Sequence, residues 1–175
     1  NKTLEIYYMN GIYNEKVTES LNDLTIGFIS DIRYNEFMNH ERLERMLKKY
    51  QNTNTDVCIF GGDLFSERLL VDINEDTITT LTTLLKDIEA PLGKFAILGD
   101  CDTKDEKRKQ LVEQILTDAD FEIISNKLIQ IRTSQHSDSL SLIGVDAYIN
   151  NDVDISSYSS QLEKEKLAIY YSYPD

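Results

Sequence analysis

Three times within about a hundred residues the chain passes through a short run of β-branched, aromatic and aliphatic residues that closes on aspartate. Leu24-Thr25-Ile26-Gly27-Phe28-Ile29 leads to Ser30-Asp31, Val57-Cys58-Ile59-Phe60 to Gly61-Gly62-Asp63, and Lys94-Phe95-Ala96-Ile97-Leu98 to Gly99-Asp100. Runs this continuously apolar suit strands covered on both faces, as parallel strands between layers are. The stretches between them have helical spacing. Asn39 can cap a segment in which Leu43, Met46 and Leu47 share one face, and Ile78, Leu81, Leu84, Leu85 and Ile88 line the next. Pro91 and Gly93 end that second helix, and a third is expected over 106–116 with Leu111, Ile115 and Leu116 as its buried edge.

Strands are expected at 4–8, 24–30, 56–60, 94–98, 121–125, 127–132, 140–145 and 167–171, which gives a β-α-β-α-β order and an α/β fold class. Ser125-Asn126-Lys127 reads as a tight turn with Asn126 left-handed, so the later part is expected to turn antiparallel. At 175 residues the expectation is one domain over 1–175. Only two cysteines are present, Cys58 and Cys101, too few for a disulfide framework, and Cys58 sits in an apolar run as a small core hydrophobe.

The formal net charge of −13 opposes nucleic-acid binding, which depends on Lys and Arg displacing condensed counterions. Surplus Asp and Glu suit a cation pocket but more often just solvate a surface. No stretch reaches the roughly 20 apolar residues of a membrane span. The sequence begins at Asn1, and an upstream segment carrying a membrane anchor is one expectation; cytoplasmic and membrane-associated locations both stay open.

In an open α/β sheet, chemistry collects beyond the carboxyl ends of the strands, where Asp31, Asp63 and Asp100 stand. Carboxylates converging there repel one another unless a cation or an arginine lies between them, and Asp and Gly are also ordinary turn formers. The wording of the segments adds something more specific. Ile29-Ser30-Asp31-Ile32 followed by Tyr34, Met38, Asn39, Glu41, Arg42 and Leu43 resembles the opening motif of calcineurin-like metallophosphoesterases. The run from Asp56 to Phe65 resembles the second motif, and Ala90 to Asp102 the third, which in the family closes Gly-Asn-His-Asp. Phe121-Glu122-Ile123-Ile124-Ser125-Asn126 and Leu142-Ile143-Gly144-Val145-Asp146 match in kind and order. The resemblance runs from Leu24 to the last residue and is strongest to a bacterial subgroup that often carries an N-terminal membrane anchor.

The resemblance implies the family's α-β-β-α sandwich, here its N-terminal portion with the C-terminus incomplete, and a pair of divalent cations about 3.5–4 Å apart acting on a phosphoester. Asp31 and Asp63 match metal ligands, and Asp100 stands where the family has Asn. Arg33 takes the place of a ligating His; a guanidinium has no lone pair to donate, but its planar fork can pair with both Asp31 and Asp63 and do part of what a cation does. Cys101 replaces the general-acid His, Ser66 the Asp that orients it, and Ser172 another His ligand. His40 and His136 read as ordinary exposed residues. Two functions follow as expectations. One is a phosphoesterase-like domain with a degenerate dinuclear site, weak or no hydrolysis, and a binding or regulatory role. The other is an active metal-dependent hydrolase with altered ligands, using Mn, Fe, Zn or Mg and a small phosphoester; in the first, the site needs no metal at all.

Overall fold

The computed structural model describes residues 21, 24–35, 38–67, 73–132, 139–145, 158 and 167–172. It shows a mixed α/β fold with a parallel sheet and three helices. The expected strand at 4–8 lies outside the described residues.

Strands β1 (Ile26–Ile29), β2 (Val57–Phe60), β3 (Lys94–Ala96) and β4 (Glu122–Ile123) form one sheet in the order β1-β2-β3-β4, every pair parallel. Helices α1 (His40–Gln51), α2 (Glu75–Lys86) and α3 (Glu106–Asp118) make the crossovers. Right-handed crossovers that always step the same way along a sheet put every helix on one face. The other face is left for a second sheet. It consists of β5 (Lys127–Arg132), β6 (Ser139–Val145) and β7 (Leu167–Ser172), with β5 and β6 antiparallel and β6 and β7 parallel.

The β2 side chains show why its sequence lacks polar alternation. Cys58 and Phe60 pack toward Leu43, Leu47, Leu81, Leu85, Ile115 and Leu116 of the helices, whereas Val57 and Ile59 pack with Ile131, Leu140 and Leu142 of the second sheet. Both faces are buried, so both need apolar residues.

All three helices start on a side-chain cap. The Oδ1 atoms of Asn39, Asn74 and Asp105 accept the backbone N–H of Arg42, Thr77 and Arg108 at 3.0, 2.9 and 2.8 Å. At the other end of α2, the buried Lys94 of β3 donates its Nζ to the carbonyls of Leu85 and Lys86 at 3.2 and 3.1 Å, with the Phe121 ring 5.1 Å away. Both carbonyls belong to the last turn, where the helix runs short of donors and Leu85 O takes only the Ile88 N–H at 3.3 Å and the N–H of the Asp87 cap, so a strand lysine fastens α2 to the sheet.

Strands β1, β3 and β4 are shorter than the expected runs. Ile97 and Leu98 are fully buried although β3 ends at Ala96, and the Ile97 N–H still donates to Phe60 O at 3.0 Å. Asn126 has φ 54°, the left-handed conformation expected at that turn. Among the described residues, no helix is long and apolar enough to cross a membrane.

Candidate functional site at the strand ends

Strands β1, β2 and β3 are neighbours, so the loops that leave their carboxyl ends are neighbours too. Backbone hydrogen bonds continue between the first two loops after the strands end. The N–H of Asp31 donates to Gly62 O at 3.0 Å, that of Arg33 to Asp63 O at 3.0 Å, and that of Tyr34 to Leu64 O at 2.9 Å. Maintaining this register places Asp31, Arg33 and Asp63 at φ 53°, 45° and 59°. Left-handed backbone costs an L-residue roughly 1–2 kcal/mol, less for Asp than for Arg, so the surrounding contacts must enforce it.

Asp102 supplies much of that enforcement. It has no exposed surface, and its carboxylate accepts the backbone N–H groups of Asp63, Leu64 and Gly99 at 2.7, 2.9 and 3.0 Å. Burial pushes its carboxyl up to about 6, against the downward pull of those three donors. Gly62 and Gly99 do related work. A Cβ on Gly99 would collide with the Asp63 carboxylate, and one on Gly62, whose φ is 93°, would run into the Gly99 backbone. The sequence offers glycine at a strand end as an ordinary turn former. In the structure they let one loop approach another.

Within this frame the Arg33 guanidinium meets two carboxylates. Its Nε and Nη2 converge on Oδ1 of Asp31 at 3.2 and 3.0 Å, and Nη2 also reaches Oδ2 of Asp63 at 3.3 Å. The Asp31 and Arg33 side chains are 48% and 44% exposed, but Asp63 is 0% exposed. Water screens the first pair and weakens it. The second neutralises a carboxylate with no access to solvent, where losing the partner is costly. The Ser30 hydroxyl donates to Asp31, and the Cys101 backbone N–H donates to Oδ1 of Asp63 at 3.1 Å.

Cys101 is half-buried, and burial with the negative charge of Asp63 pushes its thiol up to about 11. It therefore enters the site as a neutral thiol, a weak donor, where a general acid for neutral pH needs a far lower value. Asp100 lies exposed at the turn before it, and Ser66 is buried. Ser172 pairs with Val145 through the backbone of β7. His40 is exposed at the start of α1, and His136 lies outside the described residues. Arg108 donates Nη1 to the carbonyls of Cys101 and Ser66 at 3.0 and 3.3 Å, so α3 fastens the loops after β2 and β3 together.

Sequence reasoning missed Asp102 and Arg108 as organisers of the site. A signal for Asp102 was available: a second acid two residues after Asp100, in a Gly-Asp-x-Asp turn that a strand end could bury.

A divalent cation of the family kind needs several oxygen, nitrogen or sulfur ligands within about 2.0–2.6 Å. Among the described residues no group of three His, Cys, Asp or Glu side chains is gathered in that way. Between Asp31 and Asp63 stands a guanidinium nitrogen, which repels a cation and cannot ligate it. The described residues do not fit a two-metal centre.

No protein-family model matches the chain. It is 24% identical over 164 residues to a protein of Aquifex aeolicus (strain VF5) described as an uncharacterized metallophosphoesterase. The aligned part covers 91% of this chain but 58% of the relative, so the chain spans well under two thirds of that protein's length. Distant similarity to a metallophosphoesterase thus accompanies an α/β fold whose strand-end aspartates are bridged by an arginine.

Proposed function

We propose that the chain is part of a calcineurin-like phosphoesterase sandwich in which two-metal hydrolysis is weak or absent, leaving a binding or regulatory role. The observation that carries this reading is the Arg33 guanidinium, 3.0 Å from Asp31 and 3.3 Å from Asp63. The three-layer arrangement of helices, parallel sheet and second sheet supports the fold, as does the distant relative's description. The neutral Cys101 thiol supports the loss of the acid step. The net charge of −13 opposes a nucleic-acid ligand.

The alternative, an active hydrolase with altered ligands, draws on the relative's description and on the left-handed backbone at Asp31 and Asp63, a strain of the kind that clusters at active sites. An assay of the full-length protein with excess Mn²⁺ on phosphomonoesters and phosphodiesters separates the two. We expect no turnover above buffer. Turnover that disappears in Asp63→Ala selects the active enzyme.

A further inference from the structure

We propose that Arg33 is itself the resident cation of this site, a tethered competitor that holds Asp31 and Asp63 together in place of a divalent ion. The inference rests on the reading that two-metal hydrolysis is impaired here, and adds what took over the electrostatic task.

Asp63 is a carboxylate with no exposed surface, flanked by the Cys101 N–H at 3.1 Å. A buried carboxylate in such a place is costly unless a positive charge pairs with it. Nη2 of Arg33 supplies it from a position within reach of one oxygen of each aspartate, 3.0 Å from Oδ1 of Asp31 and 3.3 Å from Oδ2 of Asp63. An ion bridging the same two oxygens would have to occupy nearly the same point. The two are mutually exclusive by volume and by charge.

Tethering decides the competition. Arg33 is joined to Asp31 through one intervening residue, and its backbone N–H is fixed to Asp63 O at 3.0 Å, so its effective concentration at the site far exceeds that of a free millimolar cation. Its left-handed backbone, φ 45°, is uncommon for arginine and is enforced by the register with the β2 loop. The side chain is thus delivered to the carboxylates by the fold, and half of their charge is balanced without any soluble ion. Removing the guanidinium while keeping the loops leaves two unbalanced carboxylates, which a hard divalent cation should bridge with water as its remaining ligands.

The test uses the full-length protein as wild type, Arg33→Ala, Arg33→Gln and the double variant Arg33→Ala/Asp63→Asn. Mn²⁺ binding is read by titration calorimetry, and melting temperature with Mn²⁺ or with EDTA. We expect the wild-type midpoint to move by less than about 1 °C in either condition. Arg33→Ala should melt about 5–10 °C lower in EDTA, recover at least half of that loss in Mn²⁺, and bind Mn²⁺ about tenfold or more tightly than wild type. The double variant should show no recovery, since the buried charge is gone. Arg33→Gln fills most of the same volume and gives the same Mn²⁺ comparison if the alanine variant does not fold.

Equal Mn²⁺ affinity in wild type and in whichever Arg33 variant folds overturns the proposal, and so does Mn²⁺ rescue that persists without the Asp63 carboxylate. Phosphoester turnover by the wild type refutes the functional reading whatever the Arg33 variants do. Silent Arg33 variants beside an inactive wild type refute this inference alone.

Discussion

The carboxylate of Asp102 accepts the backbone N–H of Asp63 at 2.7 Å, so the loop after β3 holds the loop after β2 across 39 residues of sequence. With Leu64 and Gly99 as further donors, one buried side chain sets the backbone on which Asp63 stands.

Asp102→Ala leaves those three N–H groups without their acceptor in a dry place. Each unsatisfied donor costs about 1–3 kcal/mol, partly relieved by relaxation, so the variant should lose about 3–5 kcal/mol, or roughly 6–15 °C of melting temperature. Thermal unfolding followed by circular dichroism checks this. A midpoint within about 2 °C of wild type means the loops hold without Asp102.

Gly99→Ala tests the close approach of the loops. The added Cβ meets the Asp63 carboxylate and, at 2.8 Å, its backbone nitrogen, and backbone cannot swing aside as a long side chain can. We expect a loss of about 2–4 kcal/mol in urea unfolding, beyond the usual range for overpacking because the contact is to main chain. Wild-type stability would mean that the loops separate easily.

Alkaline stability should depend on Cys58. Burial pushes its thiol from an ordinary 9.0 up to about 11, so the folded state holds the proton more tightly than the unfolded state does. The stability linked to this proton is fully present below pH 9 and is lost as pH rises toward 11, amounting to about 2 kcal/mol by pH 10.5. Tyr50, raised by its own burial and by the Cys58 charge, adds to the loss above pH 10. Urea midpoints at pH 8 and pH 10.5 should therefore differ less in Cys58→Ala than in wild type. An equal drop in both proteins assigns the alkaline loss elsewhere.

The layout of the fold was legible because its causes are local along the chain. The apolar runs before Asp31, Asp63 and Gly99 needed only their own composition to read as buried strands, and β1, β2 and β3 lie within those runs. Asn126 in left-handed backbone followed from one side chain that tolerates it. Boundaries were less legible, since β3 stops at Ala96 while Ile97 and Leu98 remain in the core. Apolar character reports burial and says little about pairing.

By itself, then, the sequence determined which segments are strands, which are helices, and that acidic residues follow three of the strands. Tertiary structure alone decided that Asp102 is sealed in the interior while Asp100 faces solvent, that Gly62 and Gly99 serve each other, and that the pairing of Arg33 with Asp31 and Asp63, expected from the sequence, shares one nitrogen between the two. These facts rest on contacts between residues 30 to 39 positions apart, whose distances depend on how neighbouring strands are stacked. Periodicity along a chain records which face of an element is buried, and two loops brought together by a sheet leave no trace in it.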